Sequence, residues 1–207
     1  LDRLQEEARR CRDCEFPTCS RGCPAHIDIP AFLKAFAAGE FRRAYDILKR
    51  NNALPEMCGY VCPSEVQCEG ACLEEIFCQK PLPIRDIQLV VCRIARREGW
   101  AGVDLPAAEA GFTAAVVGAG PTGLACAIRL LEKGARVALV DKAEQGGGVP
   151  QSIIPGERLA SAAEEIQARL EPALKAGRLT LHFGQALGRE LTLDALRRDY
   201  AAVFLAV

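Results

Sequence analysis

Cys11-Arg-Asp-Cys14-Glu-Phe-Pro-Thr-Cys19-Ser-Arg-Gly-Cys23-Pro24 is answered further along by Cys62-Pro63-Ser-Glu-Val-Gln-Cys68-Glu-Gly-Ala-Cys72. Seven cysteines so arranged exceed what a small domain needs for packing. Bacterial two-cluster ferredoxins carry C-x2-C-x2-C-x3-C-P, in which the fourth Cys ligates the other cluster. Here the second gap is four residues, but the closing x3-Cys-Pro is kept. The spacing therefore predicts two iron–sulfur clusters, with Cys23 crossing to the second. Such clusters need soft thiolates, four per [4Fe–4S] cube. Zinc is the main alternative, because C-x2-C is also a zinc signature. Zinc sites pair two short knuckles, whereas the second group here is spaced x5 and x3. Disulfides and inert thiols are weaker readings.

The rest of the composition frames this module. The chain has 207 residues, half of them apolar, and a net charge of −1. That suits one large or two small domains, and gives no electrostatic case for nucleic acid or an anionic membrane. No apolar run is long enough to span a bilayer, and the charged first ten residues do not read as a signal peptide. Nearly all of the eleven Cys lie before residue 93. A secreted disulfide scaffold would spread them. We therefore expect a cytoplasmic protein. Leu1 in place of Met, and a final apolar strand with nothing after it, suggest a fragment cut at both ends.

Working outward, Leu1–Arg10 reads as a short helix and Cys11–Pro30 as loop. Ile29–Phe36 and Phe41–Lys49 read as helices, with their aromatic face as core packing. Asn51–Pro55 breaks the second, and Cys58-Gly-Tyr-Val-Cys62 opens the second cysteine group. Ile84–Arg97 is amphipathic, with Gln88 near its start. Gly102–Gly111 is rich in Pro, Ala and Gly and reads as a linker. The expected domains are 1–100, an α-helical two-cluster unit; 101–112, a linker; and 113–207, the first segment of an α/β Rossmann-like domain.

In that second domain Thr113–Val117 reads as a buried strand, followed at once by Gly118-Ala-Gly-Pro-Thr-Gly123 and a helix over Leu124–Lys133. Arg136–Val140 is the next strand and ends in Asp141. Gly-x-Gly-x-x-Gly alone is weak; placed between a strand and a helix, with an acidic residue about 20 positions on, it marks a dinucleotide site. The glycines allow a tight turn and close approach of a pyrophosphate, and the helix N-terminus offers free N–H groups. Asp141 is expected to take ribose hydroxyls. The pattern does not separate FAD from NAD. Glu157–Ala176 reads as helix with a break at Pro172, Leu179–Phe183 as strand, Leu193–Arg198 as helix, and Ala201–Val207 as a buried strand.

These features together resemble the small subunit of NADPH-dependent glutamate synthase. They resemble still more the N-terminal half of dihydropyrimidine dehydrogenase and its bacterial separate-subunit form. Asn51-Asn-Ala-Leu-Pro-Glu-Met-Cys-Gly-Tyr-Val-Cys-Pro63, then Cys68-Glu-Gly-Ala-Cys72, carry the likeness, which covers essentially the whole chain. The resemblance implies that Cys11, Cys14, Cys19 and Cys72 hold one [4Fe–4S] cluster, and Cys23, Cys62, Cys68 and Gln88 the other. Cys58, Cys78, Cys92 and Cys126 are left over. It implies FAD at Gly118, Ala119, Gly120, Pro121, Thr122 and Gly123, with Asp141, Lys142, Gly147, Gly148, Val149, Arg158 and Leu187 as further contacts. Glu157 stands where the family usually has Phe. The family's NAD(P)H domain and a second FAD segment would follow this chain.

The implied function is an electron-input module: hydride from NAD(P)H to FAD, then single electrons through two clusters to a catalytic partner subunit or domain. An assembly of unlike subunits is expected, with no acid–base residue required. His26 and His182 read as structural. The alternatives are an electron-transfer subunit serving another acceptor, of selenate reductase or sulfide dehydrogenase type, and a metal-stapled, non-catalytic assembly subunit. The final acceptor and the choice of NADH or NADPH are not written in these residues.

Overall fold

Asp28 caps the helix that the Ile29-Pro30 start signal predicts: its carboxylate accepts the Ala31 N–H at 3.2 Å. In this computed structural model, which describes residues 1–78, 80–159 and 162–207 (Cys78 through its backbone alone), the chain divides into two units. These are Leu1–Trp100 and Ala101–Val207.

The first unit runs α1 (Asp2–Arg9), α2 (Thr18–Gly22), α3 (Ile29–Ala37), α4 (Phe41–Asn51), α5 (Pro55–Val61), α6 (Leu73–Cys78) and α7 (Ile84–Arg97). Phe32, Leu33 and Phe36 of α3 meet Tyr45 and Leu48 of α4 and Ile87 and Val91 of α7 as a core with essentially no exposure. Each set recurs at i, i+3 or i+4, so one face of each helix is apolar, and burying it drives the packing. The Phe41–Lys49 face thus packs as its pattern indicates. One expectation needs correcting: Cys11–Pro30 is not all loop, since Thr18–Gly22 turns as a short helix. Cys58, which opens the second cysteine group, lies within α5, because Pro55 at its first turn starts a helix that Cys62 then leaves.

The second unit runs β1 (Thr113–Val117), α8 (Pro121–Glu132), β2 (Arg136–Val140), α9 (Val149–Ser152), α10 (Ala162–Lys175), β3 (Leu179–His182), α11 (Leu193–Asp199) and β4 (Ala202–Leu205). The sheet is parallel, in order β3-β2-β1-β4. The chain winds outward from β1 through β2 to β3, then returns to place β4 on the other side. That reversal is a switch point, where ligands of such sheets bind beyond the strand ends. Gly118–Gly123 leaves β1 there.

Three further readings change. Residues 101–112 do not hang free: Ala101 and Val103 are buried in this unit. The wholly buried Arg169 donates to the carbonyls of Ala101 and Gly102 at 2.9 and 3.1 Å. Of the expected 157–176 helix, Glu157–Leu159 are not helical, Ala162–Lys175 are, and Pro172 sits inside without ending it; positions 160 and 161 lie outside the described residues. The last strand is not buried. β4 is an edge strand, leaving Phe204 and Leu205 40 and 45% exposed.

Candidate functional site: two cysteine cavities and a dinucleotide cleft

The first cysteine run is bent into place by a few local contacts. Asp13, between Cys11 and Cys14, takes the left-handed conformation (φ 49°), which Asp tolerates better than most residues. Arg10 and Arg12 both pair with the carboxylate of Glu74, which is buried, so this loop is pinned to the start of α6. The Thr18 hydroxyl donates to the Ala71 carbonyl at 2.5 Å, drawing α2 against the turn before Cys72. The outcome is one cavity lined by Cys11, Cys14, Cys19 and Cys72, with Leu33, Leu82 and Ile84 behind them.

Cys23 goes elsewhere. Gly22 lies so near the second loop that a Cβ there would stand 2.9 Å from the Gln67 carbonyl oxygen. This approach seats Cys23 with Cys62 and Cys68. Glu69 joins the loop to α7: it accepts from the Ser64 hydroxyl at 2.7 Å and from the Arg85 N–H at 2.9 Å. The nearly inaccessible Glu56 forms a two-pronged pair with Arg96 at 2.8 and 3.1 Å, holding α5 on α7. A second cavity results, lined by Cys23, Cys62, Cys68 and Gln88 and also by Cys58. Gln88 donates its amide N–H to the Pro55 carbonyl at 2.6 Å. Its carbonyl oxygen is then the atom it can offer to a metal.

Burial raises the thiols. Cys19 is pushed up to about 11 and Cys68 to about 12, mainly because a thiolate there would be poorly hydrated. Cys11 is raised for the same reason, with Cys14 and Cys72 close enough to add to it. Cys58 and Cys62 share a hydrogen bond that pushes Cys58 up and Cys62 down. Among the left-over cysteines, Cys92 is buried on α7 and Cys126 half-buried on α8; Cys78's side chain lies outside the described residues. Sequence reading passed over Cys58 as a cavity residue. The signal was its place four residues before Cys62, one turn away on the same face.

His26, which reads as structural in the sequence, lies at the surface. It takes φ 50° and is exposed, lining an open groove of about 810 Å³ with Asp28, Arg42 and Trp100, none of which lines either cysteine cavity.

In the second unit the glycines answer to space. A Cβ on Gly123 would stand 1.7 Å from the Gly118 carbonyl oxygen, and one on Gly118, itself at φ 102°, would stand 2.4 Å from the Ala206 carbonyl oxygen. Around Gly120 the space is open. A cleft of about 820 Å³, in the range of ligand sites, opens here. Gly118, Gly120, Pro121, Thr122, Asp141, Lys142, Gly148, Val149 and Leu187 line it, with Ala143, Gln185 and Ala186, which sequence reading did not name. Ala119 and Gly147 support it from behind, joined by the Gly147 N–H to Ala119 carbonyl bond at 2.8 Å. Asp141 accepts the N–H groups of Ala119 at 2.6 Å and Ala143 at 2.8 Å, so its carboxylate ties the glycine turn to the end of β2. Arg158 is not brought in: it is exposed in the turn after Pro155 and is not among the lining residues.

Comparison with known proteins follows this geometry. Residues 2–100 match the family model described as dihydropyrimidine dehydrogenase domain II, 4Fe-4S cluster, and residues 116–164 match the NAD(P)-binding Rossmann-like domain. The chain is 34% identical over 205 residues to the glutamate synthase [NADPH] small chain of Azospirillum brasilense, covering 99% of this chain and 42% of that one. It is 34% identical to the Escherichia coli glutamate synthase [NADPH] small chain over 97% of this chain and 42% of that one. It is 31% identical to the NADP(+)-dependent formate dehydrogenase subunit beta of Moorella thermoacetica, over 91% and 29% respectively. The chain thus spans less than half the length of these relatives. No helix among the described residues is long and apolar enough to cross a membrane. Residues 2–100 are thus similar to the 4Fe-4S domain II of dihydropyrimidine dehydrogenase, and residues 116–164 to the NAD(P)-binding Rossmann-like domain.

Proposed function

We propose that this chain is the electron-input module of an NAD(P)H-dependent oxidoreductase that uses FAD and two [4Fe–4S] clusters. One observation carries the reading: cysteines and a glutamine scattered from residue 11 to residue 88 line two cavities, four candidate donors in the first and five in the second. Cys11, Cys14, Cys19 and Cys72 would hold one cluster; Cys23, Cys62, Cys68 and Gln88 the other. The donor chemistry fits, being soft sulfur in largely apolar, poorly hydrated walls.

In the cleft the Gly120–Gly123 N–H groups at the start of α8 would bind a pyrophosphate, Asp141 the adenosine ribose, and Gly147, Gly148 and Val149 would run beneath a flavin. A flavin and clusters bound here would supply the change from a two-electron hydride to single electrons. The chain's own part is to hold them, exclude water from the sulfurs and set the charge around each cavity. A neutral Gln88 in place of a thiolate removes one negative charge from the second. The relatives' names, small chain and subunit beta, support a catalytic partner that receives the electrons. Phe16, Val66, Ile76 and Phe77, all more than 60% exposed on the cysteine-bearing segments, give such a partner apolar surface to cover. The formate dehydrogenase likeness favours, as a second reading, an acceptor other than glutamate synthase.

The test is anaerobic reconstitution with iron, sulfide, zinc and flavin analysis, and EPR after dithionite. About eight iron and eight sulfide per chain, no zinc, and two reducible signals are expected. Zinc with no signal on reduction would make this module a structural staple instead.

A further inference from the structure

Helix α7 turns two polar side chains toward the second cavity. Arg85 and Gln88 stand three positions apart, share a side of the helix, and both line that cavity. The opposite side, through Ile84, Ile87 and Val91, is buried in the core. Among the described residues Arg85 is the one side chain lining this cavity that carries a fixed charge. The first cavity differs: Arg12 and Glu74 both line it and are paired with each other. The carboxylate that Arg85 meets among the described residues is Asp86, 3.8 Å away and 60% exposed, and Asp86 is not part of the cavity wall. The position is also poor for a cation. Arg85 is the second residue of α7, where the positive end of the helix dipole favours acidic side chains. Nor does the fold call for this side chain, since the tie to the 62–72 loop is the Arg85 backbone N–H, which Glu69 accepts at 2.9 Å. A cation placed against its own helix, loosely partnered and lining a sulfur-rich cavity, calls for an anion in that cavity.

We propose that Arg85 sets the charge of the second cavity: its guanidinium stabilises the negative charge that a cluster there gains on taking up one electron, and so raises that cluster's reduction potential. The inference rests on the two-cluster reading above. Net charge around a cluster is one of the properties that fix its potential. Arg85 acts in the same direction as the neutral Gln88, and the two together bias electrons toward the second cavity. A guanidinium does not lose its proton in a protein, so the effect is a fixed charge and needs no titration. The Arg85 side chain is 41% exposed, so dissolved salt reaches it and screens it.

The experiment compares wild type, Arg85→Gln and Arg85→Lys as whole chains, by iron analysis and EPR-monitored redox titration. The signal lost in Cys68→Ala identifies the second cluster. Gln removes the charge and suits a helix; Lys keeps the charge. Iron stays near the wild-type level of about eight per chain in both Arg85 variants. At a fixed potential the reduced-to-oxidised ratio of the second cluster falls about tenfold in Arg85→Gln, or about 59 mV for one electron. It stays near wild type in Arg85→Lys, and the first cluster does not move. The gap between wild type and Arg85→Gln narrows as salt rises from about 0.01 to about 1 M. An unchanged second-cluster potential in Arg85→Gln overturns the proposal. So does an equal shift in both variants, or one that salt leaves untouched, because either would trace to packing and not to charge. If Arg85→Gln fails to hold the second cluster, the salt dependence of the wild-type potential decides. A fall of the second cluster's potential with rising salt supports the proposal, and indifference to salt overturns it. Wild type with only about four iron would sink the two-cluster reading itself, and this inference with it, before any variant is measured.

Discussion

In Leu1–Trp100 the candidate ligands are side chains drawn from the 11–23 run, the 62–72 run and helix α7; in Ala101–Val207 the candidate site is mostly backbone, turned within Gly118–Gly123. The difference teaches how each site depends on its fold. A thiol can reach into a cavity only if distant segments are already held together, here by Thr18, Glu69, Glu74 and the close approach at Gly22. A glycine turn on a strand carries its own N–H groups wherever the strand goes, and needs only empty space around it.

Iron removal should break the comparison most sharply. In the proposed loaded state four donors per cavity, seven thiolates and Gln88 in all, would bond the clusters in the folded state only, so binding would add to folding of the first unit. Calorimetry of iron-depleted against loaded protein should show the first unit's transition lowered by about 10 °C or more, with the second unit's unmoved. An equal fall in both would mean that the units do not melt separately.

Gly123→Ala is the counterpart in the second unit. Its Cβ would meet the Gly118 carbonyl oxygen at 1.7 Å, far inside contact. The turn must open, at a cost of about 3 kcal/mol or more. Flavin titration should show binding weakened more than about 100-fold while iron content stays at the wild-type level.

Asp141→Asn is a smaller lesion. It offers one acceptor and one N–H where two backbone donors, from Ala119 and Ala143, now find carboxylate oxygens. Facing one donor with another should cost about 1–2 kcal/mol and loosen dinucleotide binding about tenfold, measured by the same titration.

The smallest effect is a pH dependence confined to the first unit. Folding raises Cys19 to about 11 and Cys68 to about 12 from an ordinary 9.0. The folded, cluster-free unit therefore keeps protons that the unfolded chain gives up sooner. Its stability is intact below pH 9 and falls as pH rises through 11 to 12, by about 5 °C in melting temperature. Loaded protein, whose thiolates are already formed, should lack this fall. A drop of equal size with clusters in place would place its cause outside the cysteines.

Much of this was legible beforehand. Ile84–Arg97, Thr113–Val117 and Arg136–Val140 stand where apolar periodicity puts them, because one buried face is enough to specify an element. Local pattern failed where the deciding contact was remote. Thr18–Gly22 looked like loop because close-set cysteines and Gly22 hide a short helix that the Thr18 hydroxyl draws against Ala71. Residues 101–112 looked like linker because nothing in Gly-Val-Asp-Leu-Pro announces the Arg169 side chain that gathers their carbonyls. Ala201–Val207 looked buried because hydropathy does not say which strand will be the edge.

The sequence by itself determined the kinds of chemistry on offer: soft sulfur donors in two spaced groups, and a glycine turn with Asp141 behind it. Residue type fixes donor softness, and a turn between strand and helix is a local event. Only the tertiary structure decided which sulfurs share a cavity. The spacing already pointed Cys23 across; the fold brings Cys72 back and sets Cys58 beside Cys62 as a fourth sulfur in the second cavity. Those outcomes depend on contacts between segments tens of residues apart, where spacing along the chain no longer measures distance in space.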